Sequence, residues 1–167
     1  MKGLCRGTAS AKYDIRKKSI TMRKRNKKYW VGVVSKEHIW PGVKGGFLQL
    51  NHGKKAPLTR FRSGDGIVIY SPRISYPDGE ILQKFTAAGF VKRDRIYQVE
   101  LSDDFKPYRI DIDYIGCHEA SIRPLIEKLG FIKNKKNWGS AFRFGSLEIP
   151  EDDFKTVINA MNGVFPE

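Results

Sequence analysis

The sequence predicts an α+β protein whose single curved sheet closes toward a barrel, and three observations lead there. Strand-like runs outnumber helix-like ones, the two clearest helical patterns fall late in the chain, and the regular strand-helix alternation of a doubly wound sheet is missing. The chain has 167 residues, enough for one well-cored domain and too few for two of ordinary size. Its 40% hydrophobic and 12% aromatic content is that of a globular chain rather than a disordered one.

Taken in order, strands are expected at "YWVGVV" (29–34), "GIVIYS" (66–71), "KFTAAGFVK" (84–92), "RIYQVEL" (95–101), "YRIDIDYI" (108–115) and "AFRFGSLEI" (141–149). All are rich in β-branched and aromatic residues, and "RIDIDYI" alternates cleanly between apolar and polar positions. Two helices are expected. "ASIRPLIEKLGF" places Ile122, Leu125, Ile126 and Leu129 at helical spacing before the stop at Gly130, and "PEDDFKTVINAMN" opens with Pro150 and a run of acids that suits the positive end of a helix. "SKEHIWPG" and "APLTRF" read as short helices, the second led by Pro57.

Charge is distributed unevenly. Residues 1–28 carry eleven Lys or Arg against the single acid Asp14, so they hold +10 of the net +13; the remaining 20 bases against 17 acids give +3. We read residues 1–28 as a basic, disordered extension able to hold phosphates without reading sequence, and residues 29–167 as the folded domain. Within the body, Lys36 to Arg73 holds seven bases and two acids, and "KNKKNWGSAFR" adds Lys133, Lys135, Lys136 and Arg143. Glu100 to Glu119 is acidic instead, with six acids against Lys106 and Arg109, and is expected to avoid phosphate.

Several function classes drop out. No apolar run reaches the roughly 20 residues that a membrane helix needs, and the first residues are polar and basic rather than signal-like, so a soluble cytoplasmic protein with no membrane partner is expected. Cys5 and Cys117 make no disulfide framework or metal spacing, and His38, His52 and His118 stand near no ligand set, so neither metal nor cofactor is expected. Asp111 and Asp113 share a strand face, yet alternation with isoleucines fits a half-solvated strand better than a catalytic pair. No catalytic residue is assigned, and the protein is read as not an enzyme.

The stretch "GGFLQLNHGKKAPL" (45–58) looks at first like a phosphate loop. Counting back five residues from Gly53 gives Leu48 where that motif needs glycine, and Lys55 stands where it needs Ser or Thr. It is better suited to a pocket wall: Gln49 and Asn51 can read base edges, and Lys54 and Lys55 can meet phosphate. Trp40 and Trp138, set among Gly, Pro, Lys and Asn, are the aromatic candidates for stacking, while Phe47 and Phe144 are expected in the core.

The run "YWVGVVSKEHIWPGVKGGFLQLNHGKKAPLTRFRSGDGIVIYSPR", with the later "SAFRFGSLEIPEDDF", resembles the EVE domain family, a branch of the PUA-like superfamily related to YTH and ASCH domains. The likeness runs from about Tyr29 to the C-terminus. It implies a PUA-like curved mixed sheet forming a five- or six-stranded barrel with short flanking helices. It also implies non-catalytic recognition of a modified base in DNA or RNA, flipped into a pocket. Carried onto this sequence, it implies a pocket bordered by Ser35 and Lys36, then Gln49, Asn51, His52 and Lys54, then Tyr70 and Ser71, and finally Phe142 and Arg143. Nucleic acid is the expected partner and a monomer the assumed state. Two rivals stay open: a module reading unmodified structured RNA by shape and phosphates, and a nucleic-acid-processing enzyme on the same fold, with Asp65, Asp111 and Asp113 as its acids.

Overall fold

The computed structural model describes residues 25–164. The expectation of disorder for the basic extension falls largely on residues 1–24, which lie outside that range. Seven strands form one mixed sheet: β1 Tyr29–Val33, β2 Phe47–Leu48, β3 Gly66–Arg73, β4 Ile81–Gln98, β5 Tyr108–Tyr114, β6 Ala120–Ser121 and β7 Ser146–Ile149. Their order is β2-β5-β4-β3-β1-β7, with β6 added beside β4. Two α-helices complete it, α1 Lys36–Gly45 and α2 Glu151–Ala160.

The α+β class and the curved mixed sheet are present, but closure is not: the edge strands β2 and β7 do not pair with each other among the described residues. Curvature comes from long strands with register shifts. β4 runs through both runs expected as separate strands, with one shift against β5 between Val91 and Ile96 and two against β3.

Strand alternation builds two cores, one on each side of the sheet. Ile67 and Ile69 of β3 join Trp30, Leu48, Leu50, Leu58, Phe61 and Ile112 on one face. Val68 and Tyr70 of the same strand join Phe85, Phe142, Phe154, Val157 and Ile158 on the other, where α2 packs. Each fully buried side chain of this size contributes on the order of 1.5–3 kcal/mol.

Buried Asp65 explains the "GD" turn. It accepts bonds from the Trp30 indole, the backbone amides of Lys28 and Arg62, and the Arg25 guanidinium, which ties the start of the described chain to the head of β3. Four donors leave this carboxylate fully occupied as a structural anchor.

The helix expected over 120–131 is a difference with a physical cause. The segment opens as the short strand β6 beside β4 and then holds a 3-10 turn at Arg123–Leu125, because tertiary partners take the groups a helix would pair. The Gly130 and Phe131 amides donate to Asp153 of α2 at 2.9 and 2.7 Å, and the Lys135 ammonium donates to the Ile126 and Leu129 carbonyls at 2.7 and 2.8 Å. Its apolar residues are buried all the same. The strand expected over 141–149 likewise forms only from Ser146, after a 3-10 turn at Trp138–Phe142.

Candidate nucleic-acid interface

β1 and β3 are parallel neighbours, so their C-terminal ends face the same way, with Val33 paired to Tyr70 and β3 running on to Arg73. Beyond them opens a cleft of ≈ 620 Å³. Val33, Val34, Ile39, Pro41 and Pro72 supply apolar walls, and Phe47 adds an aromatic one. Polar groups converge from four segments: Ser35 and His38 at the head of α1, Gln49 with Asn51 and His52, Arg73 of β3, and Arg109 of β5. α1 begins at Ser35, so the positive end of its dipole opens here as well. Glu37 is the one carboxylate in the lining.

Local geometry fixes these groups. Ser35 Oγ and His38 Nδ1 lie 2.8 Å apart at the first turn of α1. Arg109 stacks on Phe47, 3.7 Å from its ring centroid, and its Nε donates to Gln49 Oε1 at 3.2 Å. The loop Asn51–Gly53 holds three consecutive left-handed residues, with φ of 46° at Asn51, 57° at His52 and 81° at Gly53. That conformation costs roughly 1–2 kcal/mol at each non-glycine position. Tertiary contacts hold it: the Asn51 carboxamide lies against Gly145, the His52 ring meets Tyr76 edge-on at 5.4 Å, and Gly53 lies so close to Pro107 that a Cβ would collide. The strain is therefore held beside a cleft, as it often is at binding sites.

The mouth is apolar. Tyr76, Leu101 and Phe105 line it while remaining 63%, 56% and 40% exposed. Leu101, Phe105 and Arg109 come from the acidic segment expected to avoid phosphate, and exposed Asp103 and Asp104 lie between the first two. Exposed Lys54 and Lys55 adjoin the same segment, with Gly53 against Pro107 and the Lys55 ammonium over the Tyr108 ring at 5.6 Å, so bases and acids meet along this side of the mouth.

Of the residues singled out from sequence, Ser35, Gln49, Asn51 and His52 come together in this lining. Lys36 is next to Ser35 and pairs with Glu119, which also meets Lys84 at 3.6 Å; Lys54 is exposed just past the strained loop. Trp40 is 54% exposed on α1 with Lys44 over its ring at 5.3 Å, outside the cleft lining. Tyr70 and Phe142 are core residues, stacked at 4.1 Å, with Trp138 edge-on to both. Burial pushes the Tyr70 hydroxyl up to about 12, partly offset by the nearby Arg123 guanidinium, which itself covers the Trp138 ring at 5.2 Å. Ser71 is buried and spends its hydroxyl on the Val34 carbonyl and Thr86, each at 2.7 Å. Arg143 is exposed beside Phe144, which is 79% exposed rather than in the core.

Sequence reasoning missed His38, Arg73, Tyr76 and Arg109, and assigned Phe47 to the core. Only Arg109 left a usable signal, since period-two alternation puts it on the same strand face as Asp111 and Asp113. Asp113 meets Lys92 at 3.3 Å, and burial together with the nearby Asp111 carboxylate pushes the Tyr97 hydroxyl up. Among the described residues no group of three or more His, Cys, Asp or Glu could hold a metal ion, and no helix is long and apolar enough to cross a membrane.

Comparison with known proteins follows the same outline. A family profile described as EVE domain matches residues 28–160. The UPF0310 protein YdcG of Bacillus subtilis (strain 168) is 48% identical over 136 residues, 81% of this chain and 93% of that one. A UPF0310 protein of Mycolicibacterium vanbaalenii is 48% identical over 132 residues, 79% of this chain and 91% of that one. Among solved structures, a hypothetical protein from Leishmania major superposes with a TM-score of 0.50 at 11% identity, covering 82% of this chain and 96% of that one, which is a likeness of fold.

Proposed function

The chain belongs to the EVE domain family, and from that premise we propose that it is a non-catalytic, PUA-like nucleic-acid-binding module that takes a modified base into the cleft beyond β1 and β3. The observation that carries this reading is the make-up of the cleft: apolar walls spaced around converging amide, hydroxyl, imidazole and guanidinium groups, in a space of ≈ 620 Å³. A flipped base needs flat apolar walls for its faces and fixed polar groups for its edge. Phe47, Ile39 and Pro41 offer the first, and Ser35, Gln49, Asn51 and Arg109 the second. The backbone of the bound strand would run past Lys54 and Lys55, where phosphate contacts add affinity without base information.

The test is a binding titration of short oligonucleotides, in DNA and RNA forms, each carrying one modified base beside its unmodified control at a fixed salt concentration. The reading predicts one modification bound more tightly than its control by about 1–3 kcal/mol, the worth of a buried edge contact. Gln49→Ala and Asn51→Ala should erode that difference. Equal binding of every pair, with a steep salt dependence, would instead favour recognition by phosphates and shape.

A further inference from the structure

Arg109 is held more rigidly than a phosphate contact requires. Its guanidinium face lies on Phe47 and its Nε is committed to Gln49, which leaves the two terminal amino groups as a fixed fork beside the cleft. No carboxylate forms an ion pair with it among the described residues, and Asp113 on the same strand face pairs with Lys92 instead. The fork therefore has no acceptor among the described residues. Its surroundings are donor-rich too: Gln49 has spent its oxygen on Arg109 and keeps its amide N–H groups, and the start of α1 opens onto the same space. Arg73 lines the cleft as well, with one terminal nitrogen donating to the Gly79 carbonyl at 2.7 Å.

We propose that Arg109 is the specificity-determining residue of the cleft, and that the base it selects presents two adjacent acceptors on one edge. Guanine does so with O6 and N7, and a pyrimidine bearing a 5-carboxylate does so with its two oxygens; a planar guanidinium matches either with two parallel N–H···O or N–H···N bonds. This inference rests on the reading of the cleft as a base pocket. It adds which edge is read and by which side chain. A lysine at the same position keeps the charge and loses the fork, so it separates edge recognition from simple attraction.

The experiment compares wild type with Arg109→Lys on short single-stranded oligonucleotides that differ only in a central guanine, 5-carboxycytosine, adenine or cytosine, at one salt concentration. Wild type should bind the guanine strand, the 5-carboxycytosine strand or both about 10- to 100-fold more tightly than the other two, and the variant should lose that preference, its affinities for the four strands converging. Which of the two is preferred distinguishes a purine edge from a carboxylate. An equal loss on all four strands makes Arg109 a phosphate contact and overturns the proposal. Equal binding of all four by wild type also overturns it while leaving base binding intact; binding of none removes the base-pocket reading and the inference with it. Because Arg109 packs on Phe47, a second measurement uses the unmutated protein. Modification of Arg109 by phenylglyoxal, mapped by mass spectrometry, should be slowed by whichever strand is preferred and not by the cytosine strand, and absence of that protection counts against the proposal.

Discussion

Two aromatic groupings of this protein sit in opposite environments. One is Tyr70, Phe142 and Trp138, packed against the core that α2 covers; the other is Phe47, Tyr76 and Phe105, spread around the cleft beyond β1 and β3. The first stacks ring on ring at 4.1 Å, with Tyr70 at 2% exposure, and its contacts are satisfied within the protein. The second keeps rings in solvent beside polar groups held by a strained loop. Ring content alone does not mark a binding surface. What distinguishes the cleft is apolar surface left uncovered next to fixed donors and acceptors.

The comparison breaks most visibly on Phe142→Ala. Truncating a buried ring costs about 3–5 kcal/mol, so a large fall in melting temperature is expected, with base selectivity unchanged in whatever remains folded. Tyr76→Ala should do the reverse: its 63% exposed ring leaves stability nearly unchanged, and about 1–3 kcal/mol of oligonucleotide binding is lost if it stacks on a base. Parallel melting and titration of the two variants decides whether the groupings differ in kind.

Alkaline unfolding gives a second, smaller contrast. Burial raises Tyr70 from 10.0 to about 12, so between those values the unfolded chain releases a proton that the folded chain retains. Stability is therefore full below pH 10 and falls as pH rises toward about 12, by up to roughly 2–3 kcal/mol from this group. Tyr114 is shifted in the same direction by burial and adds to the slope. Tyr70→Phe should flatten part of this loss in denaturant titrations at successive pH values; an unchanged slope would mean that the hydroxyl is not buried in the core.

His52→Gly sharpens the cleft side. Glycine adopts a φ of 57° without the penalty a side chain incurs, so the variant should gain about 1 kcal/mol in stability while losing the ring that meets Tyr76. A rise in melting temperature together with weaker oligonucleotide binding would show the strained loop serving the ligand. Lys54→Ala is expected to have the smallest effect, weakening all strands alike and lowering the salt slope by about one.

How much of this was legible in the sequence depends on the range of the forces involved. Strand positions followed from alternation in "RIDIDYI" and from β-branched runs, because burial on one sheet face is a local pattern. The segment 120–131 was misread because Asp153 and Lys135, distant or beyond its end, take its backbone groups. In the site, Ser35, Gln49, Asn51 and His52 stood out as polar residues in short loops between apolar runs. Tyr76 and Phe105 did not, because only the pairing of the sheet carries the β3–β4 and β4–β5 connections to the end of β1, and Arg109 showed no more than its place in the alternation of β5. Barrel closure was equally invisible in local pattern, since it depends on whether β2 and β7 meet.

On the proposed reading the cleft, not the Tyr70–Phe142–Trp138 grouping, receives nucleic acid. Backbone amide chemical shifts recorded during titration with a bound oligonucleotide test it most directly. The largest changes are expected at Ser35, Gln49 to Gly53, Tyr76 and Arg109, the residues that line or shape the cleft. Changes concentrated at Trp138 to Phe144, with the cleft amides unmoved, would contradict it.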